Sequence, residues 1–234
     1  MLRKITHVLF DLDGTLINTP ELVINLFRDY AKSHGKILSK EIEMEVPNFN
    51  NMQVGFNKFM DSLNLVDVQI DRPQLMQDMV KQMLAKRYDL IPGAERLVKH
   101  LHQHGLHMAI ATTNSTRFLT SVRQKLDPFL NDGHYFSHVI TADNTGAVLR
   151  KPDPQVYHEC VKRFKEAPDS CHNVLVVEDS MTGITGAVAS GMKTLLINDQ
   201  KLHLFHTIAD KITVICNTFD DFKPESVGLP PYDN

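Results

Sequence analysis

The sequence lacks most of the features that mark specialised proteins. It has three cysteines, Cys160, Cys171 and Cys216. No pair has zinc-ligand spacing, and the odd number argues against a disulfide framework. Reduced, non-catalytic thiols in a reducing compartment are expected. Neither sign of charge is in excess: 25 lysines and arginines face 28 acidic residues, for a net charge of -3. That balance gives no sign of the basic surface of a nucleic-acid binder or of a protein drawn to anionic lipid. No apolar run is long enough to span a bilayer, and Met1 leads into a short apolar strand with no signal-peptide stretch, so a cytoplasmic location is expected. There is no internal repeat and no low-complexity segment. Beyond Lys223 three prolines predict a mostly irregular tail.

What is present is an ordinary globular composition, 42% hydrophobic over 234 residues, which suits one core domain with an insertion. Short continuous apolar runs occur at Val8-Leu9-Phe10, Met108 to Ala111, Val139-Ile140, Val174 to Val177, Thr194 to Ile197 and Ile212 to Ile215. Continuous rather than alternating runs are those of strands covered on both faces. Between them lie helical patterns, such as 94–103 with Leu97, Val98 and Leu101 on one face, and 155–164 with Val156, Cys160, Val161 and Phe164. Alternating strands and helices predict a parallel sheet with crossover helices. Residues 18–90 break the rhythm with helical stretches at 22–33, 54–62 and 72–86 and no convincing strand. The turn Ile91-Pro92-Gly93 marks the return. The expected architecture is α/β: a doubly wound, Rossmann-like parallel-sheet core from 1–17 and 91–234, with an inserted α-helical domain at 18–90. His100, His102, His104 and His107 crowd one helix and turn; a metal cluster is one reading there, and a solvated helix end is the expectation.

Chemistry-bearing residues gather at the predicted strand ends, where open parallel sheets hold their ligands. The first strand ends in Asp11-Leu12-Asp13-Gly14-Thr15, two carboxylates two residues apart before a glycine that permits a sharp turn. The second ends in Thr112-Thr113-Asn114, whose hydroxyls and amides suit phosphate oxygens. Lys151-Pro152-Asp153-Pro154 places a lysine in a segment stiffened by two prolines. The fourth motif is Glu178-Asp179-Ser180 after a buried apolar run, with Gly183 following; paired acids are ligands for a hard cation. Each motif alone also fits a plain loop. Their order is what carries the argument.

Acid pair, hydroxyl, lysine and acid pair in this order resemble the four motifs of the haloacid dehalogenase superfamily, over essentially the whole chain. The resemblance implies a magnesium-dependent phosphatase. Asp11 is then the nucleophile that carries the phosphoryl group, and Asp13 is the acid that protonates the leaving alkoxide and later the base that activates water. It implies Thr112, Thr113, Asn114 and Lys151 as phosphate-binding residues. It implies magnesium among Asp11, Asp13, Asp179 and Glu178. The chemistry needs these types together: two like unit charges about 3.5 Å apart cost roughly 5 kcal/mol at an effective dielectric near 20, and a cation and a lysine offset that repulsion between nucleophile and phosphate. A carboxylate at Asp13 implies phosphate-ester turnover, since a halide leaving group needs no proton.

The insertion at 18–90 resembles the superfamily's helical cap, which excludes water and selects the substrate. The sequence also resembles the pseudouridine-5'-phosphatase family, including the peripheral stretch Asp221 to Glu225 followed by Gly228-Leu229-Pro230. It departs from common cap wording at Asn18-Thr19-Pro20 and in the loop holding Asn48, Asn50 and Asn51, whose amides suit a uracil-like base as well as a plain polar turn. The expected partner is a small-molecule phosphate ester, with no nucleic acid and no membrane, and with the chain acting as a monomer or weak homodimer. A polyol or sugar phosphatase of the glycerol-phosphate type is the alternative. A phosphosugar mutase needs basic cap residues, for which Lys58 is the one nearby candidate. A catalytically silent interaction module is the remaining reading, and four intact motifs speak against it.

Overall fold

The computed structural model describes residues 4–46, 52–65, 68–144, 150–197 and 207–233. Asn48, Asn50 and Asn51 lie outside them. The chain divides into two compact units, one of Met1–Ile17 with Asp89–Asn234 and the other Asn18–Tyr88. The return crossing falls two residues before the Ile91 boundary read from the sequence.

In the first unit, strands β1 (His7–Phe10), β2 (His107–Ala111), β3 (Val139–Ile140), β4 (Val174–Glu178), β5 (Lys193–Ile197) and β6 (Val214–Cys216) form one sheet. Its order is β3-β2-β1-β4-β5-β6, and every pairing is parallel. All residues of β1 and β4 are buried, as their continuous apolar runs require. The order reverses between β1 and β4, so a crevice opens at their carboxyl ends. Helices α5 (Ala94–Gln103), α6 (Thr116–Arg123), α7 (Gln155–Lys162) and α8 (Met181–Ala189) are the crossovers and flanks. Tyr157, Cys160 and Phe164 of the α7 segment and Ala187 of α8 pack with Leu9, Ala109 and Val176 in one buried cluster. Ile91 N donates to Leu16 O at 2.9 Å and Ile17 bridges Leu90 antiparallel, so the two chain segments that lead into and out of the insertion run side by side.

Two expectations are corrected. The last strand starts two residues later than the apolar run Ile212 to Ile215, because Thr213 and Thr194 exchange backbone N–H to side-chain hydroxyl bonds of 3.0 Å in place of ladder bonds. The histidine-rich end of α5 is not simply solvated: His100 is buried, and Nε2 lies 3.0 Å from Pro230 O. The tail is irregular apart from a 3-10 turn at Pro224–Val227.

The second unit is helical: α1 (Thr19–Ser33), α2 (Lys40–Glu45), α3 (Met52–Ser62) and α4 (Arg72–Ala85). Ser39 and Asp71 cap α2 and α4 by accepting from Ile42 N and Gln74 N. Phe27 and Phe59 stack with centroids 4.0 Å apart, and an apolar pocket beside them is lined by Phe56, Met76, Met79 and Met83. Lys58 is paired with Glu45 at 2.8 Å.

At the amino ends of β1 and β3, Phe164 meets the rings of His7 and His138 edge-on, at 4.7 and 4.8 Å. Each imidazole donates Nε2–H to a carbonyl, His7 to Glu166 O and His138 to Cys160 O, both at 2.8 Å. Burial holds both pKa values below the usual imidazole range. The unfolded chain therefore takes up these protons first as pH falls. Stability from the neutral pair is complete above about pH 6.5 and declines below it, down to the lowered folded-state values. The urea midpoint is expected to drop from pH 7 to pH 5, and to drop less in His7→Asn/His138→Gln; an unchanged slope in that double variant refutes the assignment.

Candidate active site

The four motifs converge at the carboxyl ends of β1, β2 and β4. Asp11 extends the ladder, its N–H donating to Val177 O at 2.9 Å, and the residue is 7% exposed. The chain then turns on Gly14, whose φ of +85° suits glycine. A Cβ at Gly14 would lie 2.3 Å from Asp179 Oδ2, so only a bare backbone lets the first motif and the Asp179 carboxylate approach this closely. Thr15 Oγ1 donates to Asp179 Oδ1 at 3.5 Å.

Lys151, buried before α7, donates to both Asp11 and Glu178. Glu178 is fully buried. Its Oε1 also accepts from the Tyr157 hydroxyl at 3.0 Å. Its Oε2 accepts from Asp179 N, Ser180 N and the Ser180 hydroxyl, at 3.2, 3.4 and 3.1 Å. Ser180 also caps α8, accepting from Gly183 N. Two glycines of α8 make the arrangement possible. A Cβ at Gly183 would fall 2.0 Å from the Glu178 carboxyl carbon, and one at Gly186 would fall 2.8 Å from Pro152 O. The helix can therefore lie against both the acid and the segment that carries Lys151.

On the other side, Asp13 Oδ2 accepts from Thr112 Oγ1 at 3.3 Å and from Asn114 Nδ2 at 2.6 Å. Asn114 N donates to Thr112 Oγ1, which ties the second motif into one turn. Thr113 is exposed at the rim. Asp11, Asp13, Thr112, Asn114, Lys151, Glu178 and Asp179 are thus brought together.

The electrostatics are lopsided. Burial pushes the Lys151 ammonium down, but Asp11 and Glu178 outweigh it and hold the pKa above the usual lysine range. Asp11 is raised well above the carboxylate range, first by burial and then by Glu178, Asp179 and Asp13, against which Lys151 pulls it down. Among the described residues, Lys151 pairs with two of these four carboxylates, Asp11 and Glu178. One oxygen each from Asp11, Glu178 and Asp179 lies within 4.8 Å of the others. This all-oxygen, over-negative donor set fits a hard divalent cation. The nearby thiol is inert by comparison: burial pushes Cys160 up to about 12. The three cysteines are free.

The sequence profile of haloacid dehalogenase-like hydrolases matches residues 8–197. The chain belongs to that family. A (DL)-glycerol-3-phosphatase 2 from Arabidopsis thaliana is 32% identical over 99% of this chain and 94% of its own length. A Drosophila melanogaster protein named as a probable pseudouridine-5'-phosphatase is 28% identical over 99% and 97%. The crystal structure of a HAD hydrolase of family IA, variant 3, from Entamoeba histolytica superposes with a TM-score of 0.70 at 21% identity, covering 97% of this chain and 98% of that one, and so shares the fold. This haloacid dehalogenase-like enzyme is a phosphatase.

Tyr157 and Gly186 escaped the sequence reading. Tyr157 sits three residues before Cys160 and seven before Phe164, on what reads as a core stripe of α7, and nothing in that spacing marks its hydroxyl as polar contact for Glu178. The Tyr157 hydroxyl has one proton and two acceptors, Glu178 Oε1 and Gly183 O at 2.9 Å. Removing it leaves the buried carboxylate one donor short, and a hydrogen bond to a charged group is worth about 1.5–3 kcal/mol. Tyr157→Phe is expected to keep its fold while kcat falls about tenfold or more with little change in KM. A kcat within twofold of wild type would show that Glu178 and Lys151 do not depend on it.

Proposed function

We propose that this phosphatase hydrolyses the phosphomonoester of a small metabolite through an aspartyl phosphate on Asp11, with magnesium bound. The observation that supports this reading best is the buried Asp11–Lys151–Glu178 triad with a second carboxylate, Asp13, two residues on and hydrogen-bonded to the second motif.

In this mechanism an Asp11 carboxylate oxygen attacks phosphorus and the ester P–O bond breaks. Asp13 gives its proton to the leaving alkoxide, then takes one from the water that attacks the aspartyl phosphate, and inorganic phosphate departs. Thr112, Thr113, Asn114 and Lys151 bind the phosphoryl oxygens, and Lys151 offsets the charge of the nucleophile. Asp11, the Asp13 backbone carbonyl and Asp179 would hold the magnesium, which supplies positive charge against the phosphate dianion. Glu178 is assigned to Lys151 rather than to direct ligation, because its oxygens already accept from Lys151, Tyr157, Ser180 and the backbone.

For the substrate we favour a nucleotide-like ester such as pseudouridine 5'-phosphate, on the tail match and the Drosophila relative. A polyol phosphate is the second reading, favoured by the 32% identity to the Arabidopsis protein. Residues 18–88 are proposed as the cap that selects between them, with Asn48, Asn50 and Asn51 as candidate contacts. A mutase is disfavoured, since Lys58 is held by Glu45. Catalytic efficiency on pseudouridine 5'-phosphate and on glycerol phosphate, measured side by side, decides: a preference for the polyol ester refutes the nucleotide reading.

Asp11→Asn is expected to fold and to lose all but a few per cent of activity. Asp13→Asn should lose about 10²–10⁴-fold on an alkyl phosphate, the usual worth of a general acid, and far less in the first step with nitrophenyl phosphate, whose leaving group needs no proton. Equal losses on both esters would remove Asp13 from the acid role. Excess chelator is expected to abolish turnover and magnesium to restore it, with calcium a poor substitute because it favours more ligands and looser geometry; full activity in chelator contradicts the metal assignment.

A further inference from the structure

Among the described residues, a second group of metal-ligating side chains stands apart from the four motifs: His100, His104 and Asp233. His100 and His104 are four apart on α5 and its end, and their rings lie 4.4 Å apart. One ring nitrogen of each and a carboxylate oxygen of Asp233 lie within 4.8 Å of one another. His104 Nε2 is 4.0 Å from Asp233 Oδ1.

The two imidazoles are already oriented. His100 Nε2 meets Pro230 O at 3.0 Å, and His104 Nδ1 meets His100 O at 2.9 Å. A carbonyl only accepts, so each of these nitrogens carries a proton, and in the neutral ring the opposite nitrogen holds the lone pair that a metal would take. Such carbonyl partners are what orient metal-binding histidines. The third donor is delivered by a docked segment: the Tyr232 ring packs 4.8 Å from that of His100, and the Arg96 guanidinium sits 4.4 Å above Tyr232. The group also lies at the carboxyl end of α5, where the helix dipole favours a cation.

We propose that His100, His104 and Asp233 bind a borderline divalent transition metal, zinc foremost, which clips residues 230–233 to the end of α5. Two nitrogens and one oxygen with room for water suit zinc, whereas magnesium prefers an all-oxygen set such as that of the four motifs. Tetrahedral zinc needs its donors about 3.3 Å apart, so the exposed Asp233 closes by roughly 1 Å on binding.

The test is a zinc titration by calorimetry of the whole chain, stripped of metal and held in excess magnesium to occupy the acidic site. Wild type is expected to bind one equivalent and to gain thermal stability. His104→Gln, whose side chain is near the surface and whose zinc-free melting temperature should match wild type, is expected to bind at least about tenfold more weakly. Asp233→Asn should weaken binding less and show a smaller thermal gain. His102→Gln, on the same helix but outside the group, should bind as wild type. In the cobalt-substituted protein, the visible band expected of nitrogen ligation should disappear in His104→Gln. The proposal is overturned if wild type takes up no zinc, if His104→Gln and Asp233→Asn bind as wild type does, or if His102→Gln weakens alongside them, which would mean binding scattered over surface histidines.

Discussion

The buried ammonium of Lys151, shared between Asp11 and Glu178, is the contact on which the rest of the site is built. Burying charge is costly, and a pair repays the cost only when its geometry is good and its remaining hydrogen-bonding positions are filled. The neighbouring structure reads as the means of meeting that condition. Two adjacent strands, β1 and β4, bring the two acids to the point where the strand order reverses. Ser180, Tyr157 and two backbone amides fill the positions on Glu178 that Lys151 leaves. Gly183 and Gly186 remove the side chains that would hold α8 away. The local helix cap and the catalytic geometry are therefore one arrangement, since Ser180 serves both.

Compensation is incomplete by design of the donor set. The Lys151 ammonium contacts Asp11 and Glu178, with Asp13 and Asp179 close by, and burial followed by the neighbouring carboxylates raises the pKa of Asp11. A site short of positive charge is a poor receptor for a phosphate dianion, so the proposed chemistry and the proposed cation are a single hypothesis. The same reasoning separates the two acids of the fourth motif. Glu178 has its oxygens committed to protein donors, whereas the Asp179 carboxylate rests against the bare Gly14 backbone at the mouth of the first motif. Adjacent residues of like charge thus receive different proposed roles from their surroundings alone.

Much of the core was legible in the sequence because its strands are buried on both faces. Continuous apolar runs such as Val174 to Val177 leave little choice of structure, and acids directly after such runs must sit at the sheet edge. Legibility failed where a side chain took over a backbone role or a core position took over a polar one. The late start of β6 depends on the Thr194–Thr213 exchange, which looks like two more β-branched residues in apolar runs. Tyr157 has the spacing of a packing residue and the contact of a polar one. His100 reads as one more polar residue near a helix end; only the fold reveals Pro230 and Tyr232 packed against it, more than a hundred positions away.

Substrate choice is the feature that neither the sheet nor the motifs constrain. The residues proposed to handle the phosphoryl group all lie in one compact unit, whose requirements are the same for any phosphate monoester. The leaving group imposes no demand on Asp11, Lys151 or Glu178, so the chemistry proposed for them is the same whichever ester is cleaved. That explains how relatives named for glycerol phosphate and for pseudouridine phosphate match this chain along nearly its full length at 32% and 28% identity. Identities this close together do not discriminate between the two esters. Discrimination has to come from side chains that meet the leaving group, where one unpaired polar contact changes selectivity by about 1–3 kcal/mol, roughly tenfold to over a hundredfold. If residues 18–88 are the cap proposed above, a few of them can decide the substrate without leaving a trace in the similarity of the whole.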